Sequence, residues 1–268
     1  MTNSRYTDGL KNLKDIDQEA GERVLASLND ISPDLGRYII EYAFGDVYSR
    51  PGLDLKLKEI AVVAALTAMG NVEPQLKVHI HGALNVGCNI AEIQEVILQM
   101  AGYAGFPRAI NGMLALKTVL EERRSEGKKD EAGRVEPSPK PDGKSRYEFG
   151  CEQISTLNKN QVKNLENTFK DISPDMVKFV IEFGFSDIFA RPALQPRYRE
   201  IATIAALTAM GCAASQLGFH IRAGLNIGLS EIEVREVMIL MTVYCGFPAA
   251  INGTLVLKEI INELEGSA

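Results

Sequence analysis

RPGLDLKLKEIAVVAALTAMG, residues 50–70, returns as RPALQPRYREIATIAALTAMG at residues 191–211. The match runs on without a gap to MAGYAGFPRAIN, ending at Asn111, and MTVYCGFPAAIN, ending at Asn252. Ser32 and Ser173, Glu59 and Glu200, His79 and His220, and Asn111 and Asn252 all stand 141 positions apart. About half of the aligned positions are identical, which marks an internal duplication. Inside the repeat, IAVVAALTAM from Ile60 has no polar face wide enough to be wetted, which predicts a central, buried helix. Polar residues present in both copies are then the first candidates for chemistry.

The N-cap Asp54, and Gln195-Pro196 at the matching position, start this helix, and Gly70 and Gly211 stop it. Upstream, Asp17 to Asn29 has helical spacing of Ala20, Val24 and Leu28. Ser32-Pro33-Asp34 and Ser173-Pro174-Asp175 each open a further helix, with the serine as N-cap and proline at the first helical position. These run to about Tyr48 and Phe189 with aromatic faces, Tyr38, Tyr42 and Phe44 against Phe179, Phe183 and Phe185. Downstream, helices are expected over Pro74–Val86, Ile90–Tyr103 and Phe106–Glu122. No segment alternates with period two, so the fold class is all-α. The expected organisation is a first domain over 1–122, a charged, Pro- and Gly-rich solvated linker over 123–150, partly disordered, and a second domain over 151–268.

Lys and Arg number 29 against 35 Asp and Glu, a net charge of −6 without a basic block, which argues against a nucleic-acid partner. The polar N-terminus is no secretory leader. The apolar runs Ile60–Gly70 and Val237–Ile251 are too short to span a membrane. Cys88, Cys151, Cys212 and Cys245 show neither paired spacing nor equivalence between copies, so no disulfide framework is expected. These features predict a soluble, cytoplasmic protein. No metal or cofactor is expected.

Glu59 and Glu200 lie in the first turns of the most apolar helix of each copy. Such a glutamate can be a solvated first-turn acid favoured by the helix dipole, or a carboxylate at the edge of a buried site. The apolar surroundings favour the second. His79 and His220 follow at a constant spacing of 20. A lone histidine is usually structural, but a Glu–His pair on neighbouring helices can relay a proton, the carboxylate orienting the imidazole. His81 has Arg222 at the equivalent position of the second copy and reads as structural or a secondary contact. Arg50 and Arg191, just before the Glu helix, could clamp a substrate carboxylate bidentately or pair with a neighbouring acid. Asn85/Asn226 and Asn111/Asn252 suit caps or interface hydrogen bonds, and Tyr103/Tyr244 beside Gly-Phe-Pro suits a helix break more than catalysis. Cys212 forms C-x-x-S with Ser215. It can be a small residue in a tight connection or a thiol activated at a helix start.

The patterns R-P-G-L-x₅-E-I-x₅-L-T-A from Arg50, H-I-x-x-x-L-N-x-G from His79, E-I-x-E-V from Glu92 and Y-A-G-F-P-x-A-I-N from Tyr103 resemble the carboxymuconolactone decarboxylase family. The second copy fits as well. The resemblance implies two tandem alkyl hydroperoxidase D-like helical domains related by a pseudo-twofold, and a homotrimer equivalent to the hexamers of single-domain relatives. It implies decarboxylation of a small carboxylated lactone or related acid, with Glu59/His79 and Glu200/His220 catalytic and Arg50/Arg191 binding the substrate carboxylate. Other members are thiol peroxidases or disulfide reductases that need C-x-x-C before the histidine. Counting forward from Glu200 gives Cys212 and Ser215, and counting back from His220 gives Ala213 and Gln216. No second cysteine appears, so a peroxiredoxin-type activity would rest on Cys212 alone. A non-catalytic helical scaffold is the third reading.

Overall fold

The computed structural model describes residues 4–16, 25–137, 139 and 141–266, and among them the secondary structure is helical throughout, with no strand. The first copy comprises α1 (Ser4–Ile16), α2 (Pro33–Tyr38) running into a π-helix over Ile39–Val47, α3 (Leu55–Met69), α4 (Glu73–Asn85), α5 (Ile90–Tyr103) and α6 (Phe106–Ser125). The second comprises α7 (Arg146–Leu157), α8 (Gln161–Phe169), α9 (Pro174–Phe179) with its π-helix over Val180–Phe189, α10 (Pro196–Met210), α11 (Ala214–Asn226), α12 (Glu231–Tyr244) and α13 (Gly246–Gly266). Of the helix expected over Asp17–Asn29, Leu25 to Leu28 are helical, and positions 17–24, with Ala20 and Val24, lie outside the described residues.

The helix predicted at the centre is there. α3 packs along its twin α10, and Ala61, Ala64, Ala65 and Ala68 are fully buried with Ala202, Ala205 and Ala206. Small side chains let the two backbones approach closely, so apolar surface that neither copy could cover alone is removed from water. One continuous core therefore runs through both copies. The helix ends follow local rules. Asp54 accepts a hydrogen bond from Leu57 N at 2.8 Å, and Gly70 and Gly211 close α3 and α10 at φ of 76° and 67°, where only glycine is free of Cβ strain.

Three details depart from the sequence reading. Ser32 and Ser173 make no side-chain cap, and proline alone opens α2 and α9. The aromatic stretches beyond them tighten no further as α-helix but widen to π pitch, ending with Tyr48 N on Ala43 O and Ala190 N on Phe185 O. The polar N-terminal segment is itself a helix, and its twin α7 begins at Arg146, inside the segment read as linker. Gly9 and Gly150 let these helices lie on the π-helices: a Cβ would meet the carbonyl oxygens of Ile40 and Ile181 at 2.1 and 2.3 Å. The solvated-linker reading of 123–150 is also corrected at its start. Arg123 is buried against Asp130, and Glu131 and Ala132 carbonyls accept from Ile90 and Ala91 N at the start of α5.

The copies are tied reciprocally, as a twofold relation requires. Arg50 forks onto Glu236 with both contacts at 2.8 Å, while Arg191 binds the equivalent Glu95 at 2.7 Å. Glu95 also holds Arg199 at 2.8 Å, and Arg199 is fully buried. Burial lowers the Arg199 pKa, and the Glu95 carboxylate opposes that shift. The two carboxylates therefore differ in consequence. Glu95→Gln leaves two arginines without their anion, one fully buried, and should cost about 3–5 kcal/mol. Glu236→Gln takes the anion from Arg50, whose side chain is 44% exposed, and from the field around buried Lys58, which keeps its hydrogen bonds to the Tyr48 and Arg50 carbonyls, and should cost less than Glu95→Gln. Urea unfolding of both variants measures the difference, and equal losses would dispose of this account of the interface.

Candidate active site

The 20-residue spacing puts each glutamate and its histidine on two helices joined by a three-residue turn, so their side chains can meet. Glu59 Oε2 lies 2.8 Å from His79 Nδ1, and Glu200 Oε2 lies 2.8 Å from His220 Nδ1. All four residues are buried, Glu59 at 0% and Glu200 at 1% exposure. A carboxylate can only accept, so Nδ1 carries the proton in each pair and Nε2 is left to exchange one with a ligand. The solvated-acid reading of Glu59 and Glu200 does not apply.

Each pair is completed by the other copy. The ring of Tyr244 stands edge-on to His79, centroids 4.9 Å apart, and that of Tyr103 to His220 at 5.2 Å. In the first site Tyr48 OH donates to Glu59 Oε1 at 2.8 Å. With its single proton so used, Tyr48 accepts from Tyr244 OH at 2.7 Å. A chain of four groups results: His79, Glu59, Tyr48 and Tyr244. Burial, then the Glu59 charge, hold both phenols well above the usual tyrosine range. In the second site Phe189 replaces Tyr48 and removes the bridging hydroxyl. Burial, followed by the Glu200 charge, raises the Tyr103 pKa, and Thr203 beside it opposes the shift. Gln99, also from the first copy, reaches Thr203 Oγ1 at 2.6 Å and accepts from Arg199 at 3.1 Å.

His220 opens on a cavity of about 600 Å³ whose walls include Gln99, Tyr103, Phe183, Phe189 and Phe219. Helices α8 and α9 supply its outer side. The two copies are thus alike in the Glu–His pair and unlike in what surrounds it.

The remaining candidates fall elsewhere. Arg50 and Arg191 are engaged by Glu236 and Glu95, and neither lines the cavity. Of the two readings open for them, the geometry is that of pairing with an acid, not of a clamp awaiting substrate. Asn85 and Asn226 donate to the last carbonyls of α1 and α7, Ile16 O and Leu157 O, at 2.8 and 2.9 Å, whereas Asn111 and Asn252 are exposed. His81 touches Glu122 at 3.3 Å. Cys212 is exposed and outside the cavity wall. Burial pushes the Cys88 and Cys245 thiols up to about 12 and about 11, which disfavours the reactive thiolate.

Sequence reasoning passed over Tyr48 and underrated Tyr103 and Tyr244. The persistence of the last two in both copies was a signal, but their role is visible only once the copies are interleaved. The hydrogen-bond chain makes an ordered prediction. Tyr48→Phe removes a bond to a buried carboxylate and one to Tyr244, and should cost about 1–3 kcal/mol. Tyr244→Phe leaves the Tyr48–Glu59 bond intact and should cost less. Urea titration of the two variants checks the order, and its reversal would contradict the chain as described.

Comparison with known proteins agrees with this architecture. The family model described as "Carboxymuconolactone decarboxylase family" matches twice, over residues 33–118 and 174–259. A 4-carboxymuconolactone decarboxylase of Acinetobacter baylyi is 32% identical over 119 residues, 44% of this chain and 88% of that protein. A nitrosuccinic acid decarboxylase of Metarhizium robertsii is 28% identical over 103 residues, 37% of this chain and 71% of that protein. Peroxisomal protein 2 of Saccharomyces cerevisiae is 29% identical over 89 residues, 33% of this chain and 31% of that protein. Two matched regions that span α2 to α6 and α9 to α13, each carrying its own buried Glu–His pair, make the chain a tandem member of the carboxymuconolactone decarboxylase family.

Proposed function

We propose that the protein is a decarboxylase of a small carboxylated lactone or a related acid whose carboxylate lies β to a carbonyl or to the vinylogue of one. The observation that carries this reading is the histidine held at Nδ1 by a buried glutamate beside a ligand-sized cavity. In the reaction the C–C bond to the carboxylate breaks, CO₂ leaves, and the electron pair moves onto that carbonyl as an enolate. An imidazolium at His220, or at His79, delivers the Nε2 proton to carbon, while Glu200 or Glu59 keeps its bond to Nδ1 and stabilises the cation. Tyr103, kept protonated by its raised pKa, is available as a donor to the enolate oxygen. Relatives named for 4-carboxymuconolactone and nitrosuccinic acid decarboxylation support the reaction class.

CO₂ release can be assayed on those two acids and on a panel of β-keto and vinylogous acids. On the acid of this panel that is turned over fastest, His220→Ala and Glu200→Gln should lower kcat/KM by ~10²–10⁴, the usual contribution of a positioned proton donor. Cys212→Ser should leave it unchanged, because the thiol has no step to perform. The same substitutions at His79 and Glu59 report on the first site. Loss of activity in Cys212→Ser with the histidine variants active would overturn the decarboxylase reading in favour of a thiol enzyme.

We further propose the homotrimer that the family resemblance implies. Large apolar side chains stand exposed at matched positions of both copies: Tyr38 and Phe179, Phe106 and Phe247, Ile110 and Ile251. Exposed apolar surface repeated in this way suits contact with further copies of the chain. Light scattering should give about three times the 29.4 kDa chain mass. A monomer at micromolar concentration would defeat it.

A further inference from the structure

The cavity of the second site has a composition that bears on its ligand. Among the described residues no Lys, Arg, Asp or Glu side chain lines it, and His220 and Tyr103 are its ionisable groups. Its walls are mostly apolar, with phenylalanines from the π-helix and α11 around the histidine. Phe219 packs edge-on to His220 with centroids 4.9 Å apart, and Phe106 of the first copy stacks on Phe183 at 5.5 Å. Arg199, whose charge acts on Tyr103, does not line the cavity and is already held by Glu95 and Gln99. A volume of about 600 Å³ is that of a pocket for a ligand well above the size of a four-carbon diacid.

A ligand with two or three carboxylates would have to leave water without a cation to meet more than one of them, at a cost of several kcal/mol per unpaired charge. One carboxylate can be met, by an Nε2–H of His220 and the Tyr103 hydroxyl, the two polar groups that converge at this end of the pocket. We infer that the second site takes a monocarboxylic acid with a ring-bearing, largely apolar body, its carboxylate β to a carbonyl or to the vinylogue of one. The body lies among Phe183, Phe189 and Phe219, and the acid end lies at His220 and Tyr103. The inference rests on the reading of Glu200 and His220 as the reacting pair only for the acid's activation; the shape and charge of the pocket stand apart from it. The bond changes are those already given: one C–C bond breaks, one C–H bond forms, and CO₂ leaves.

Binding to the full chain can be measured by titration calorimetry with 2-naphthoate as the aromatic monoacid and tricarballylate as the polyacid, at equal ionic strength. Naphthoate should bind at least about tenfold more tightly, a difference of about 1.4 kcal/mol. His220→Gln should weaken naphthoate by a similar factor, and so should Phe183→Gln on the half-buried wall, with thermal unfolding used to confirm that each variant is folded. Tighter binding of tricarballylate, no binding of naphthoate, or naphthoate affinity unchanged in both folded variants would overturn the inference. Naphthoate binding as described without CO₂ release from any acid would sustain the pocket and remove the decarboxylase reading. Turnover of polyacids with naphthoate ignored would do the reverse.

Discussion

The close packing of α3 on α10 is the contact on which the rest depends. Each helix is apolar on every side and neither copy has enough surface to cover it, so each serves as the other's core. Alanines along the seam bring the backbones together, and the first-turn region of each helix, which carries Glu59 or Glu200, is drawn under the neighbouring copy. Burial of a carboxylate demands a partner. In both copies it is the histidine one helix on.

That packing also explains why the sites are composite. α5 of the first copy and α12 of the second each end at the other copy's Glu–His pair, delivering Tyr103 and Tyr244. The same crossing brings Glu95 to Arg191 and Arg199, and Glu236 to Arg50. The ion pairs and the tyrosines are therefore two results of one geometry. The ion pairs hold the copies in register, and the tyrosines sense that register at the site. A rotation of one copy against the other would disturb both.

Duplication has let the surroundings diverge while the pair persists. The change from Tyr48 to Phe189 replaces a hydroxyl that engages Glu59 with a ring that lines a cavity. The change from Lys58 to Arg199 replaces an ammonium bonded to the Tyr48 and Arg50 carbonyls with a guanidinium that reaches Glu95 and Gln99. A fused pair can carry such differences because each half is encoded separately, whereas an assembly of identical single domains would repeat every residue at every site.

The sequence by itself determined the repeat, the helical class, most helix limits and the Glu–His pair. These are local or periodic properties: a 20-residue spacing across one turn, an apolar run without a polar face, Asp54 as a cap and glycine where φ must be positive. It also contained Tyr103 and Tyr244 in plain view, but nothing local distinguishes a tyrosine that ends a helix from one that enters another copy's site. Only the tertiary structure decided that Arg50 and Arg191 face carboxylates 186 and 96 positions away, and that Tyr48 engages Glu59. It alone revealed that the two sites differ in kind. Contacts between residues so far apart are set by how whole surfaces pack, and no spacing along the chain records that.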